Sequence, residues 1–335
     1  MPALDELLER RGVLLADGAT GTNLFDMGLM SGDAPELWNV DEPDRIRTLH
    51  RDFAEAGADI ILTNTFGGNA PRLKLHNAQD RVRELNRAAA ELAREVVEGS
   101  SREVVVAGSV GPTGELFEPL GEMTFAAAVE AFTEQMHGLK EGGADVVWIE
   151  TMSAREEIEA AAEAARSVGL PYVFTASFDT AGMTMMGLSP RALGDVAASL
   201  DPPPLAYGAN CGVGASDLLA SVLRMTENGG HIAVVAKANC GIPVVKGDQV
   251  AYTGTPELMA NYVRLAVDAG ATIIGGCCGT SAEHLRAMRE ALDEHVKGTR
   301  PDLMRISAET GAFVNSVGGV DEAGRTRRTG RRRRG

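Results

Sequence analysis

The chain has 335 residues, 44% of them hydrophobic, and a formal net charge of -15. That length can bury one large core, and the acidic balance argues against nucleic acid as the main partner. No apolar run approaches the roughly 18 residues that a membrane span needs, and the acidic start Met1-Pro2-Ala3-Leu4-Asp5-Glu6 lacks the basic and apolar regions of a signal peptide. A cytoplasmic location with reduced thiols is the expectation.

In chain order, a short helix over 4–11 comes first, placed to close the bottom of a barrel. Eight β-branched runs then alternate with helix-period segments: 13–16, 59–63, 104–108, 145–149, 172–176, 205–209, 232–237 and 272–275. Strict alternation of this kind predicts an α/β fold, a single-domain (β/α)8 TIM barrel. Ser189-Pro190 and Thr255-Pro256 place an N-cap before a proline at the first helical position. Thr280-Ser281-Ala282-Glu283 predicts a capping box that opens the last barrel helix. Residues 1–300 are expected to form the barrel, with 301–335 as a C-terminal extension. The extension ends in seven arginines between Arg325 and Arg334, read as a disordered solvated tail.

Reading outward from the strand ends gives Asp17, Asn64, Ser109, Glu150, Ser177, Asn210-Cys211, Asn239-Cys240 and Cys277-Cys278. Polar and metal-binding side chains thus gather at the C-terminal face, where barrels of this type place their sites. Cys277 and Cys278 lie within Gly275-Gly276-Cys277-Cys278-Gly279. A disulfide between such neighbours is disfavoured, because trans-linked Cα atoms sit about 3.8 Å apart, below the usual disulfide range. Two thiols flanked by glycines also pack little volume, which leaves metal ligation. Cys211, two strands away around the rim, completes a soft three-thiolate set for Zn2+, with a fourth position open for substrate. Cys240 is read as a small wall residue, with a fourth-ligand role as the alternative.

The ordered set Asp17-Gly18-Ala19-Thr20-Gly21-Thr22, Asn64-Thr65-Phe66, Gly108-Ser109-Val110-Gly111-Pro112, Glu150-Thr151, Gly208-Ala209-Asn210-Cys211 and Gly275-Gly276-Cys277-Cys278-Gly279-Thr280 resembles the zinc-dependent homocysteine S-methyltransferases. The resemblance covers roughly residues 5 to 297, and the loop pattern is most similar to the bacterial betaine–homocysteine enzymes. It implies zinc on Cys211, Cys277 and Cys278, and Asp17 and Glu150 at the amino group of homocysteine. The amides around Gly18 and Ala19 would serve the substrate carboxylate. The implied reaction is methyl transfer from a small onium donor, glycine betaine first, to homocysteine, giving methionine and dimethylglycine. A sulfonium donor such as S-methylmethionine, or a corrinoid-bearing partner protein, is the alternative. Trp38 and Phe66 are the aromatic candidates for holding a cationic donor. Gly67 departs from the animal betaine enzymes, which carry an aromatic at that place. The residues leave a homo-oligomer open.

Overall fold

In a computed structural model, the structure describes residues 3–246 and 249–315. Among these, eight parallel strands make one sheet: β1 (Leu14–Leu15), β2 (Ile60–Leu62), β3 (Val105–Val110), β4 (Val146–Met152), β5 (Tyr172–Ala176), β6 (Ala206–Cys211), β7 (Ala233–Ala238) and β10 (Ile273–Gly276). The strands neighbour one another in the order β1-β10-β7-β6-β5-β4-β3-β2. A parallel bridge from Ala16 to Ile60 joins the outermost two and brings the sheet round into a (β/α)8 barrel. All eight expected strands are present, each within a few residues of its expected bounds.

Strand periodicity explains the layering. Leu14, Ile60, Val105, Val146, Val173, Val235 and Ile273 point inward, and the helix Leu4–Arg11 inserts Leu4 and Leu7 beneath them as a plug. Alternate residues such as Leu15, Ile61, Val106 and Val147 pack outward against the helices. Two aspartates tie strands together from below. The Asp59 carboxylate accepts from Leu15 N at 2.9 Å and is clasped by Arg11, Arg102 and Arg289. Asp145 accepts from Val106 N at 2.9 Å and pairs with Arg94.

The Ser189 and Thr255 hydroxyls accept from Ala192 N and Leu258 N, as N-caps should. The last barrel helix, Ala282–Glu294, starts one residue later than expected. Ser281 is its N-cap, and its N–H donates to Nδ1 of His284, not to Glu283. Thr280 is instead committed to the turn of the thiol loop, donating its N–H to Cys277 O and accepting from Ala19 N.

An antiparallel hairpin that the strand count did not anticipate, β8 (Pro243–Lys246) with β9 (Gln249–Tyr252), follows β7. Beyond residue 300, the helix Leu303–Thr310 buries Ile306, and Arg305 pairs with Asp268. Asp217 accepts from the N–H groups of Val314 and Asn315 at 2.9 Å each. The Arg-rich stretch 325–334 lies outside the described residues.

Candidate metal and substrate site

At the C-terminal mouth of the barrel, the Sγ atoms of Cys211, Cys277 and Cys278 lie within 4.8 Å of one another. Three features of the backbone produce this convergence. Cys211 sits in the left-handed region (φ 60°), followed by Gly212 at φ 72°, so β6 turns sharply and aims its last side chain across the mouth. Cys277 N donates to Ala238 O at 2.7 Å, which holds the thiol loop against the end of β7. Gly279 has φ 79°, and a Cβ there would meet Tyr252 Cβ at 2.4 Å, so only glycine closes the loop.

The three clustered thiols interact strongly with one another, which holds the pKa of Cys278 well below the ordinary thiol value and raises that of Cys211. Tetrahedral coordination by zinc, at about 2.3 Å per sulfur, needs sulfurs about 3.8 Å apart. The cluster is therefore within about an ångström of that arrangement, and its three soft donors fit such an ion. Cys240 is buried outside the cluster, its sulfur against Gly254, and burial pushes its thiol up to about 12.

Beside the sulfurs lies a charged pocket. Inward-facing Ser109 donates to Glu150 Oε1 at 2.5 Å. Burial, opposed by Lys237, raises the Glu150 pKa to about 7. Asp17 accepts from Leu62 N at 2.7 Å and from the Lys237 ammonium at 2.6 Å. The Lys237 ammonium is itself buried, 5.7 Å from the centre of the Trp148 ring.

Glu150 shares the inward face of Val146 and Trp148, and a bulge directly follows it. The register of β4 against β5 shifts between Ile149 and Met152, leaving one extra residue on β4. Thr151 takes φ 63°, a strained conformation for a β-branched residue. The buried Asn210 side chain braces it. Its Oδ1 accepts from Thr151 N (2.8 Å) and Thr175 Oγ1 (2.7 Å), and its Nδ2 donates to Thr151 Oγ1 (2.7 Å) and reaches toward Cys277 Sγ at 3.9 Å.

A family profile described as Homocysteine S-methyltransferase matches residues 14–292. The chain belongs to the homocysteine S-methyltransferase family. Among proteins of this kind, it is 30% identical over 315 residues to the methionine synthase of Mycobacterium leprae, covering 89% of this chain and 26% of that protein. With the methionine synthase of Mycobacterium tuberculosis the figures are 31% over 306 residues, 86% and 25%. This chain thus spans about a quarter of the length of these relatives. The oxidized form of the homocysteine methyltransferase MmuM from Escherichia coli superposes with a TM-score of 0.71 at 25% identity, covering 85% of this chain and 97% of that one. The metallated form gives 0.69 at 26% identity, covering 85% and 98%.

The site residues expected from the sequence divide into groups. Cys211, Cys277 and Cys278 come together, with Asp17 and Glu150 at the same end of the barrel, after β1 and on β4. The Ala19 amide is not free for a substrate carboxylate, because it donates to Thr280 O at 3.0 Å. Trp38 is half-buried against the core, and the Arg45 guanidinium covers its ring at 4.7 Å, so that face already holds a cation. Phe66 is exposed at the end of the β2 loop, lying over Gly111. The absence of a side chain at Gly67 is explained by Glu36, whose buried carboxylate accepts from Gly67 N at 2.6 Å and would lie 2.9 Å from a Cβ there.

Three participants escaped the sequence reading. Lys237 was the most legible, since it follows inward-facing Val235 by two residues and so shares its face. Tyr252, whose hydroxyl lies close enough to Cys278 to lower its pKa, arrives on the hairpin. Its signal was the Gly247-Asp248 pair between two short β-branched runs. Asn210 stood inside a quoted motif, but its brace joins residues 59 positions apart in the chain.

Proposed function

We propose that this chain catalyses methyl transfer to the sulfur of homocysteine, at a Zn2+ ion held by Cys211, Cys277 and Cys278, from a small onium donor, with glycine betaine the first choice. The observation that carries the reading is the convergence of three thiols beside an acidic pocket, within a chain of this family. A zinc ion held by three thiolates acidifies a substrate thiol while leaving it electron-rich enough to attack carbon. The protein's own residues then have distinct tasks. Glu150 and Asp17 supply the acidic pocket that the substrate ammonium enters. Ser109 fixes Glu150, and the Gly18 amide takes the carboxylate.

Holding the amino acid end at the strand termini sets the sulfur at the thiol cluster and leaves the mouth side for a methyl group aligned with it. No general base on the donor side is required, because the donor leaves as a neutral amine or thioether. With the Trp38 ring covered, Phe66 and Tyr252 are the aromatic faces that favour a cationic donor.

The test is a donor panel on reduced, metal-replete protein with homocysteine, following methionine. Glycine betaine, dimethylsulfoniopropionate and S-methylmethionine are supplied singly. Methionine with betaine and a stoichiometric loss of one methyl group supports the full reading. Methionine with a sulfonium alone moves the donor to that class. No product with any of them, but product on adding a methylated corrinoid protein, would favour the partner-dependent alternative. Protein that binds no metal would overturn the reading entirely.

A further inference from the structure

We propose that Lys237 is a positioning residue for the amino-acid end of the substrate: by taking Asp17 as its counter-ion, it leaves Glu150 as the one uncompensated acid, so that the pocket matches a single alkylammonium. This rests on the homocysteine reading above and goes further, by separating two carboxylates which that reading treats alike.

The geometry separates them. Asp17 is 1% exposed, and both of its oxygens are engaged, Oδ1 by the Lys237 ammonium at 2.6 Å and Oδ2 by Leu62 N at 2.7 Å. Glu150 is half-buried, and Ser109 engages its Oε1; among the described residues nothing donates to its other oxygen. Lys237 is 2% exposed and rests against the Trp148 ring, so it cannot leave its place for solvent.

Two carboxylates in one dry pocket resist joint ionisation. One buried ammonium between them reduces the pocket to a single negative charge, which an incoming ammonium neutralises. The charged and titratable groups facing this ammonium are Asp17 after β1, Glu150 on β4 and the Cys277 thiol after β10. Without Lys237, Asp17 would be an unpaired buried carboxylate. It would either take up a proton or turn toward the substrate nitrogen and pull it from the line set by Glu150. Lys237 therefore acts through Asp17 and Glu150 and does not touch the reacting sulfur.

The experiment is a double-variant cycle on metal-loaded protein: wild type, Lys237→Met, Asp17→Asn and the pair combined. Calorimetry reads the affinity for homocysteine, for 3-mercaptopropylamine, which lacks the carboxylate, and for 4-mercaptobutyrate, which lacks the amine. Metal content, kcat and KM are measured on the same preparations. Lys237→Met is expected to weaken homocysteine and 3-mercaptopropylamine ten-fold or more, with metal content intact and a smaller change for 4-mercaptobutyrate and in kcat. The combined variant, which restores one negative charge, is expected to bind homocysteine more tightly than Lys237→Met alone.

Unchanged affinity in Lys237→Met, or strictly multiplicative losses in the pair, would overturn the inference while leaving the parent reading intact. Wild-type protein that holds metal but no homocysteine would overturn both. Should Lys237→Met fail to fold, the balanced pair carries the test. Homocysteine affinity within ten-fold of wild type supports the role, and a loss as large as that of Asp17→Asn refutes it.

Discussion

Replacing Asn210 by alanine tests whether strain at Thr151 is maintained by one side chain. Asn210 is 1% exposed and makes three hydrogen bonds of 2.7–2.8 Å to Thr151 and Thr175. At about 1 kcal/mol net per neutral bond, and with a buried N–H left unpaired, the expected loss is roughly 2–4 kcal/mol. Part returns if Thr151 relaxes from φ 63°, a conformation worth about 1–3 kcal/mol of strain.

That relaxation would flatten the bulge and re-aim Glu150, and an ångström of misplacement costs about 100-fold in rate. The assay is urea unfolding of reduced, metal-free protein, since bound metal would add its own stabilisation. Activity is measured in parallel on metal-loaded protein. Thr151→Gly supplies the control, because glycine adopts φ 63° without penalty. In the Asn210→Ala background it should cost less than in wild type, giving a non-zero coupling term. An unfolding midpoint for Asn210→Ala equal to that of wild type, or strictly additive losses, would refute the bracing argument.

Other consequences follow from the same geometry. Cys278→Ser should lower metal content below stoichiometry and abolish methyl transfer, with secondary structure by circular dichroism unchanged; metal analysis and methionine assay read it. Burial raises Glu150 to about 7, so its ammonium-binding form accumulates as pH rises through that value. The homocysteine KM should accordingly fall between pH 6 and 8, and Glu150→Gln should flatten that profile. In stability, the same raised pKa favours the protonated pocket at low pH, an advantage lost as pH rises through about 7 in the substrate-free protein. Asp59→Ala removes the partner of three arginines at the barrel bottom and should cost about 3–5 kcal/mol. Its kcat should stay within about two-fold, because Asp59 lies at the opposite strand ends.

The barrel was legible because its signals are local. Each strand is a short β-branched run whose alternate residues serve different layers, so Leu14 and Leu15 announce two cores within two positions. The thiol cluster was legible because the residue type is rare and the flanking glycines are specific; the chain has four cysteines, and three of them converge. What stayed hidden depends on contacts between distant residues. The Ala19 amide looked free beside Gly18, yet Thr280 takes it. Trp38 had the right chemistry for a cation, and Arg45 supplies that cation from within the chain. The helix start moved from Thr280 to Ser281 because the thiol loop needs the Thr280 backbone.

These differences share a direction. Residues that act through their element types, such as cysteines at strand ends, are recovered from sequence, whereas residues that compensate for them are not. Lys237 offsets the charge of Asp17, and Asn210 offsets the strain of Thr151; each partner is meaningful only when the other is seen. A lysine inside a barrel strand is costly unless its counter-ion is fixed beside it. Its presence on the inward face of β7 therefore already implies an acid within reach at the barrel mouth. Asp17 fills that role through a bond of 2.6 Å, and Glu150 is left with Ser109 as its one hydrogen-bond donor among the described residues. In the proposed reaction the acceptor half is thus written into buried, mutually dependent charges, while the donor half rests on the aromatic faces of Phe66 and Tyr252, which a single substitution can remodel.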